Sequence, residues 1–179
     1  MKRPKNMSRN VMRSYYYLRN MMRVKHYRGF GVHSPFVYGL VRHSVMMKKN
    51  IIGEECAVFD KLVELKVAQK RAVQLQNMCN WAGYTKYFFL IDADSELGEM
   101  DEHTVYFVLP SYPLEKLPEV CTKSEGKGGV VCLLSPYESR TRSKACKALI
   151  KIHRNTSVDN RGYLLIFFNP RHPKQHFKL

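Results

Sequence analysis

A chain of 179 residues with 45% hydrophobic and 25% charged residues has the composition of a globular protein with one core, which excludes collagen-like, low-complexity and wholly disordered classes. The net charge of +15 is the deviation, and it is uneven: Met1 to Gly53 hold twelve Lys or Arg and no acid, the first carboxylate being Glu54. Five cysteines without Cys-x-x-Cys spacing suggest neither a disulfide framework nor a zinc cluster; with no apolar run of signal or membrane-spanning length, the reading is a reduced cytoplasmic protein without membrane association or metal.

From Met7 to Tyr27 basic residues alternate with Met, Tyr, Val and Leu, and Val11, Tyr15, Leu18 and Met22 fall near helical spacing, which predicts a basic amphipathic helix. Its Tyr and Met side chains can cover a core edge, while Arg13, Arg19 and Arg23 are candidate contacts for nucleic acid or an acidic protein partner. Gly29-Phe-Gly-Val-His33-Ser34-Pro35-Phe36-Val37-Tyr38 follows: two glycines for a turn, Ser34 as N-cap and Pro35 at the first helical position. The helix that begins there is apolar at Phe36, Val37, Leu40, Val41, Val45 and Met46 and fades between Asn50 and Gly53. Glu54 to Ala82 is the longest helical pattern, with Gly83 placed to end it.

Tyr87 to Ile91 is a continuous apolar run that ends on Asp92, the form of a buried parallel strand, and Asp94, Ser95, Glu96 and Gly98 crowd the turn behind it. Open α/β sheets place ligands at such carboxyl ends, so this is a candidate cofactor edge. Thr104 to Leu109 reads as a second buried strand, yet five residues separate Gly98 from Thr104, where a parallel crossover normally has a dozen or more and a helix. Pro110, Pro113 and Pro118 punctuate a loop with at most one helical turn, and Gly126-Lys-Gly-Gly129 is a turn before a third strand, Val130 to Leu134. Ser135-Pro136 opens a helix to about His153, in which Arg140, Arg142, Lys144, Lys147 and Lys151, with Arg154 beyond, form a second basic run. Thr156 to Asp159 and Tyr163 to Phe168 read as an antiparallel pair joined at Asn160-Arg-Gly162. Pro173 argues against a helix that would bring His172 and His176 to one metal.

Three of these segments together resemble a bacterial family of class I S-adenosylmethionine-dependent methyltransferase-like proteins. Gly29 to Tyr38 is similar to that family's N-terminal His-Ser-Pro-Phe segment, Leu90 to Gly98 to its first cofactor motif, and Gly129 to Leu179 follows its order of strand, helix and strand pair. The resemblance implies a Rossmann-like α/β fold, a mostly parallel sheet ending in an antiparallel strand pair, over residues 54–179, with a basic helical extension over 1–53. It further implies S-adenosylmethionine held at Asp92, Ser95 and Gly98, and a substrate near His33 and Tyr38. The cofactor motif departs from the family pattern: Ala93 and Asp94 stand where small residues and glycine belong, the first crossover helix is missing, and no acid follows the second strand. The expectation is a methyltransferase-like chain of weak or no activity; the alternative is a basic module that binds nucleic acid, through Arg13, Arg19, Arg23, Arg140, Arg142 and Lys144, or a protein.

Overall fold

The computed structural model describes residues 34–179, and Ser34 opens it as an N-cap, its hydroxyl accepting from the Val37 amide at 3.4 Å. Helix α1 (Pro35–Leu40) follows and widens into a π-helical stretch over Val41–Val45. Val37, Leu40, Val41 and Val45 are all buried in the core. These residues, expected in an extension reaching to residue 53, are therefore part of the domain itself.

The single long helix expected over residues 54–82 is two helices, α2 (Ala57–Glu64) and α3 (Gln69–Ala82). Lys66, with φ of 61°, turns the chain between them, and the Val67 amide donates to the Leu62 carbonyl at 2.9 Å. A continuous helix of that span would run about 43 Å, whereas a five-residue strand is about 17 Å long. Breaking it lets Val58 and Leu62 of α2 share one cluster with Ala72, Leu75, Met78 and Cys79 of α3. Gly83, left-handed at φ 72°, ends α3 as its sequence predicts.

Buried amides of α3 organise the segment before it. Asn77 accepts from the Ile52 amide at 2.7 Å and donates to the Asn50 carbonyl at 2.9 Å. Gln76 accepts from the Phe59 amide at 2.9 Å in the first turn of α2, Asn80 donates to the Ile52 carbonyl at 2.7 Å, and Gln74 donates to the Val45 carbonyl. Each supplies a partner to backbone that no helix or strand satisfies.

Six strands form one mixed sheet in the order β1-β2-β3-β5-β4-β6: β1 (Lys86–Leu90), β2 (Thr104–Val108), β3 (Val130–Leu134), β4 (Ser157–Asp159), β5 (Tyr163–Phe167) and β6 (His176–Lys178). β1, β2 and β3 are parallel, and β4 pairs β6 in parallel. The expected antiparallel pair, β4 and β5, is present but does not end the sheet: β5 is wedged between β3 and β4, antiparallel to both, and β6 adds an edge beyond. Between the strands come α4 (Leu117–Ser124), preceded by a 3₁₀ turn over Leu114–Lys116, and α5 (Arg140–Ile152). The proline-punctuated loop thus holds a real helix, because Pro118 occupies the helix's first turn, where no amide partner is required. Ser135 is not the cap of α5; it takes a φ of 47°, and Ser139 caps the helix by accepting from the Arg142 amide at 3.0 Å.

Side chains alternate across the sheet with period two. Val105, Phe107, Val130, Cys132, Leu134, Tyr163, Leu165 and Phe167 face α1 to α3, while Tyr106, Val108, Val131, Leu133, Leu164 and Ile166 face α4 and α5. Replacing Asn77 by Ala should cost about 1–3 kcal/mol, because the Ile52 amide and Asn50 carbonyl lose a partner in a partly buried place. Urea unfolding measures the cost, and faster hydrogen exchange at the Ile52 amide than at Leu165 in the sheet is the local sign.

Candidate functional site

The carboxyl ends of β1, β2 and β3 are the place where a sheet of this kind would hold a ligand. Behind β1 the turn is closed on itself. The Ser95 hydroxyl accepts from the Ile91 amide at 2.9 Å and the Asp92 amide at 3.1 Å, and donates to the Asp92 carboxylate at 2.9 Å. One donor and two acceptors are all a serine hydroxyl has. The Asp92 carboxylate also accepts from the Asp94 amide at 3.2 Å. Asp92 and Ser95, expected at a cofactor, are thus brought together, but the Ser95 hydroxyl and the Asp92 Oδ1 are engaged by the turn itself.

The neighbouring loop clamps this turn. Ser111 donates to the Ile91 carbonyl at 2.5 Å, and the Lys116 ammonium donates to the Ala93 carbonyl at 2.7 Å. Between β2 and β3 lies Arg142, which is 2% exposed. Its guanidinium donates to the Leu134 carbonyl at 2.9 and 3.2 Å, with longer contacts to the Val108 carbonyl at 3.3 Å and the Pro110 carbonyl at 3.4 Å. Burial holds its pKa below the usual arginine value, and Cys146 and Glu138 act in the opposite sense. The sequence places Arg142 among the candidate nucleic-acid contacts; the fold places it inside, as the clip joining the ends of two strands.

Gly98 does not serve the turn either. It lies over the middle of β1, where any side chain would overlap the Phe88 ring, and its carbonyl accepts from the Tyr106 hydroxyl. Phe88 and Tyr106 are partners in the β1/β2 register with ring centroids 5.5 Å apart, so the glycine lets the return segment lie flat on that pair. Tyr38 is 46% exposed and sits elsewhere. Phe36, two residues before it, packs edge-on against Phe167 at 4.9 Å, and Phe167 pairs with Val130, the first residue of β3. Tyr38 therefore lies near the amino edge of the sheet, opposite Asp92. His33, Arg13, Arg19 and Arg23 lie outside the described residues.

One acid at the carboxyl edge escapes sequence reasoning. Asp159, 1% exposed at the end of β4, accepts from the Tyr137 hydroxyl and from the Arg161 amide at 2.9 Å. It fixes the Asn160 to Gly162 turn, and the signal for it was present: an acid immediately before an Asn-x-Gly turn in a strand pair is well placed to bind the turn's amides.

The other prominent surface is α5. Arg140, Lys144, Lys147 and Lys151 are all exposed and follow the spacing i, i+4, i+7, i+11, which places them in one stripe; Arg142, about 200° round from Arg140, is the residue that this spacing turns to the core. Ion pairs among the described residues join Lys61 to Glu64, Lys86 to Asp101, His103 to Glu102 and Lys123 to Glu119, and none draws on the stripe. At its far end Lys174 donates to the Lys151 carbonyl at 2.7 Å, which brings the approach to β6 against the helix. His153 closes the helix, buried, with Nδ1 accepting from the Asn155 amide at 3.2 Å. Burial, and then Lys174 and His176, push its pKa down to about 4.

Compared with protein-family models, curated proteins and solved structures, the chain matches none.

Gly98→Ala should destabilise the fold by about 1–3 kcal/mol through overlap with Phe88. Combining it with Phe88→Ala should recover part of that loss, read as a coupling in a double-mutant cycle from urea unfolding. A second test concerns His153. In the unfolded chain it titrates near 6.5, in the fold near 4, so the unfolded state takes up its proton first on acidification. Its contribution to stability is whole above about pH 6.5 and drains away between 6.5 and 4. His172, also lowered by burial, adds to the same window, while Asp101, held down to about 2 chiefly by Lys86, titrates below it. His153→Phe should flatten the decline of the urea midpoint between pH 6.5 and 4.

Proposed function

We propose that this chain is a non-catalytic domain of Rossmann-like, methyltransferase type, and that its working surface is the basic face of α5, which binds nucleic acid. The observation that carries the proposal is the stripe Arg140, Lys144, Lys147, Lys151, in no ion pair among the described residues, on a helix whose opposite face is held in the core by Cys146 and Leu149. A row of exposed cations on a rigid element suits a polyanion, since neutralising phosphates releases their counterions.

Against methyl transfer stand the connections of the sheet. Leu97 and Met100 of the β1–β2 link, α4 and α5 all pack on the same face. The other face is covered by α1 to α3, which precede β1. Doubly wound folds bind ligands where strand order reverses and connections switch faces. Here the order from β1 to β2 to β3 runs one way, β1 is an edge, and among the described residues no strand stands on its far side to form the crevice. The residues that remain, Asp92, Ser95, Ser111 and Lys116, are bonded to one another or to backbone and do not fit a cofactor in that turn.

Calorimetric titration with S-adenosylmethionine to millimolar concentration should give a flat trace, and saturable binding would remove the non-catalytic half of the proposal. Mobility shifts at ~50 mM salt should show nucleic-acid binding whose log affinity falls linearly with log salt concentration. No shift with single-stranded or duplex nucleic acid would remove the other half.

A further inference from the structure

Resting on the reading of α5 as a nucleic-acid face, we infer that its ligand is the phosphodiester backbone of a duplex, bound without regard to sequence and approached by the α5 and β6 side of the molecule. Three observations lead there. The first is the shape of the cation row. From Arg140 to Lys151 the stripe is straight and spans about 16 Å, a length over which one strand of a duplex presents about five phosphates. Lys174 prolongs it, fixed beside Lys151 by its hydrogen bond to the Lys151 carbonyl. A rigid row matches a regular rail of charge better than a flexible strand.

The second is what the face lacks. Proteins that hold single strands combine cations with aromatic platforms on which bases stack. The remaining exposed residues of α5 are Thr141, Ala148 and Ile152, with no aromatic among them. Reading of bases calls for Asn, Gln or bidentate Arg side chains aimed into a groove. On α5 itself Arg140 is the one exposed guanidinium and there is no exposed amide, so the helix's contacts position the protein on phosphates and carry no sequence information.

The third is the charge polarity of the described residues. From Ser139 to Leu179 there are ten Lys or Arg and one acid, Asp159, which is buried against Tyr137. At the far edge of the sheet, Asp92, Asp94, Glu96, Glu99, Asp101 and Glu102 crowd the segment behind β1, six of the chain's fifteen acids in eleven residues. A polyanion is repelled at one edge and drawn to the other, which orients the encounter before contact.

The test uses the full chain and fluorescence anisotropy with one 24-base-pair sequence as duplex DNA, duplex RNA and single strand, at about 50, 100 and 200 mM salt. At least tenfold tighter binding to one or both duplexes than to the single strand is expected, with a log–log salt slope of about −3.6 for four phosphate contacts. A scrambled duplex should bind within twofold of the original. Lys144→Glu with Lys147→Glu should lose at least tenfold and shed about half of that slope, whereas the charge-matched pair Lys66→Glu with Lys70→Glu, exposed at and just before the start of α3 on the other face of the sheet, should lose less than threefold. Equal or tighter binding of the single strand overturns the duplex assignment while leaving nucleic-acid binding intact. An equal loss in the control pair overturns the stripe, because net charge alone would then explain the affinity. Tighter binding to vesicles of phosphatidylserine and phosphatidylcholine than to any duplex overturns both. Thermal melts of all variants, monitored by circular dichroism, confirm that they fold.

Discussion

How the chain returns from Leu90 to Thr104 decides the rest of the carboxyl edge. β2 lies directly beside β1 and runs in the same direction, so thirteen residues, 91 to 103, must carry the chain back along the whole strand. A helix is the usual vehicle, because it satisfies its own backbone while crossing the sheet. Here the return is made by irregular chain that buries Met100, packs Leu97 against the same cluster and lies over Phe88. Such a segment must stay close to the strand to bury anything. That closeness is what Gly98 permits and what the Ser95 and Asp92 turn starts, and it draws Ser111 and Lys116 down onto the same turn. The consequence is an edge at which Ser95, Ser111 and Lys116 are all bonded to the turn behind β1.

Where local rules act alone, the sequence is readable. The strand ends of β3 and the antiparallel pairing of β4 with β5 follow from unbroken apolar runs separated by turn residues; the start of α1 follows from Ser34 and Pro35. Where tertiary packing chooses between locally acceptable answers, it is not. The break at Lys66 has no glycine or proline to announce it; it exists because α2 and α3 must both fit over short strands. Pro118 could end a loop or begin a helix, and only the burial of Leu117, Val120 and Cys121 against β3 and its neighbours selects the helix. The candidate site was legible as a place and not as a function: Asp92 and Ser95 do meet behind β1, but composition cannot say whether a hydroxyl points outward to a ligand or inward to its own turn.

Arg142 and its neighbours show the same residue type put to two uses by helical phase. Two positions on from Arg140 it faces the core, where four of its N–H groups donate to carbonyls and none to a carboxylate. A buried cation without a carboxylate in contact is normally costly, and three strand-end and loop carbonyls, each a dipole with its negative end toward the guanidinium, offset that cost here. The arrangement depends on the geometry of a guanidinium: a lysine offers a point charge and three donors, and could not span the Leu134, Val108 and Pro110 carbonyls together. Arg142 therefore reinforces the closure begun by the β1 turn from the other side of β2.

The exposed stripe is a different matter, because no ion pair among the described residues draws on it. Arg140 sits in the first turn of α5, at the positive end of the helix dipole, and no acid accompanies it there. Arg140 and Lys144, and again Lys147 and Lys151, are like-charged pairs four residues apart, each unfavourable by about 0.2–0.5 kcal/mol. A helix arranged for stability alone would carry Asp or Glu in its first turn and alternate signs along its wet face. α5 does neither, although α4 beside it does, pairing Glu119 with Lys123 at 3.0 Å. Violations of local preference that persist without a packing reason are where function is to be sought. On the proposed reading, phosphates lying along the stripe would remove that cost to the helix.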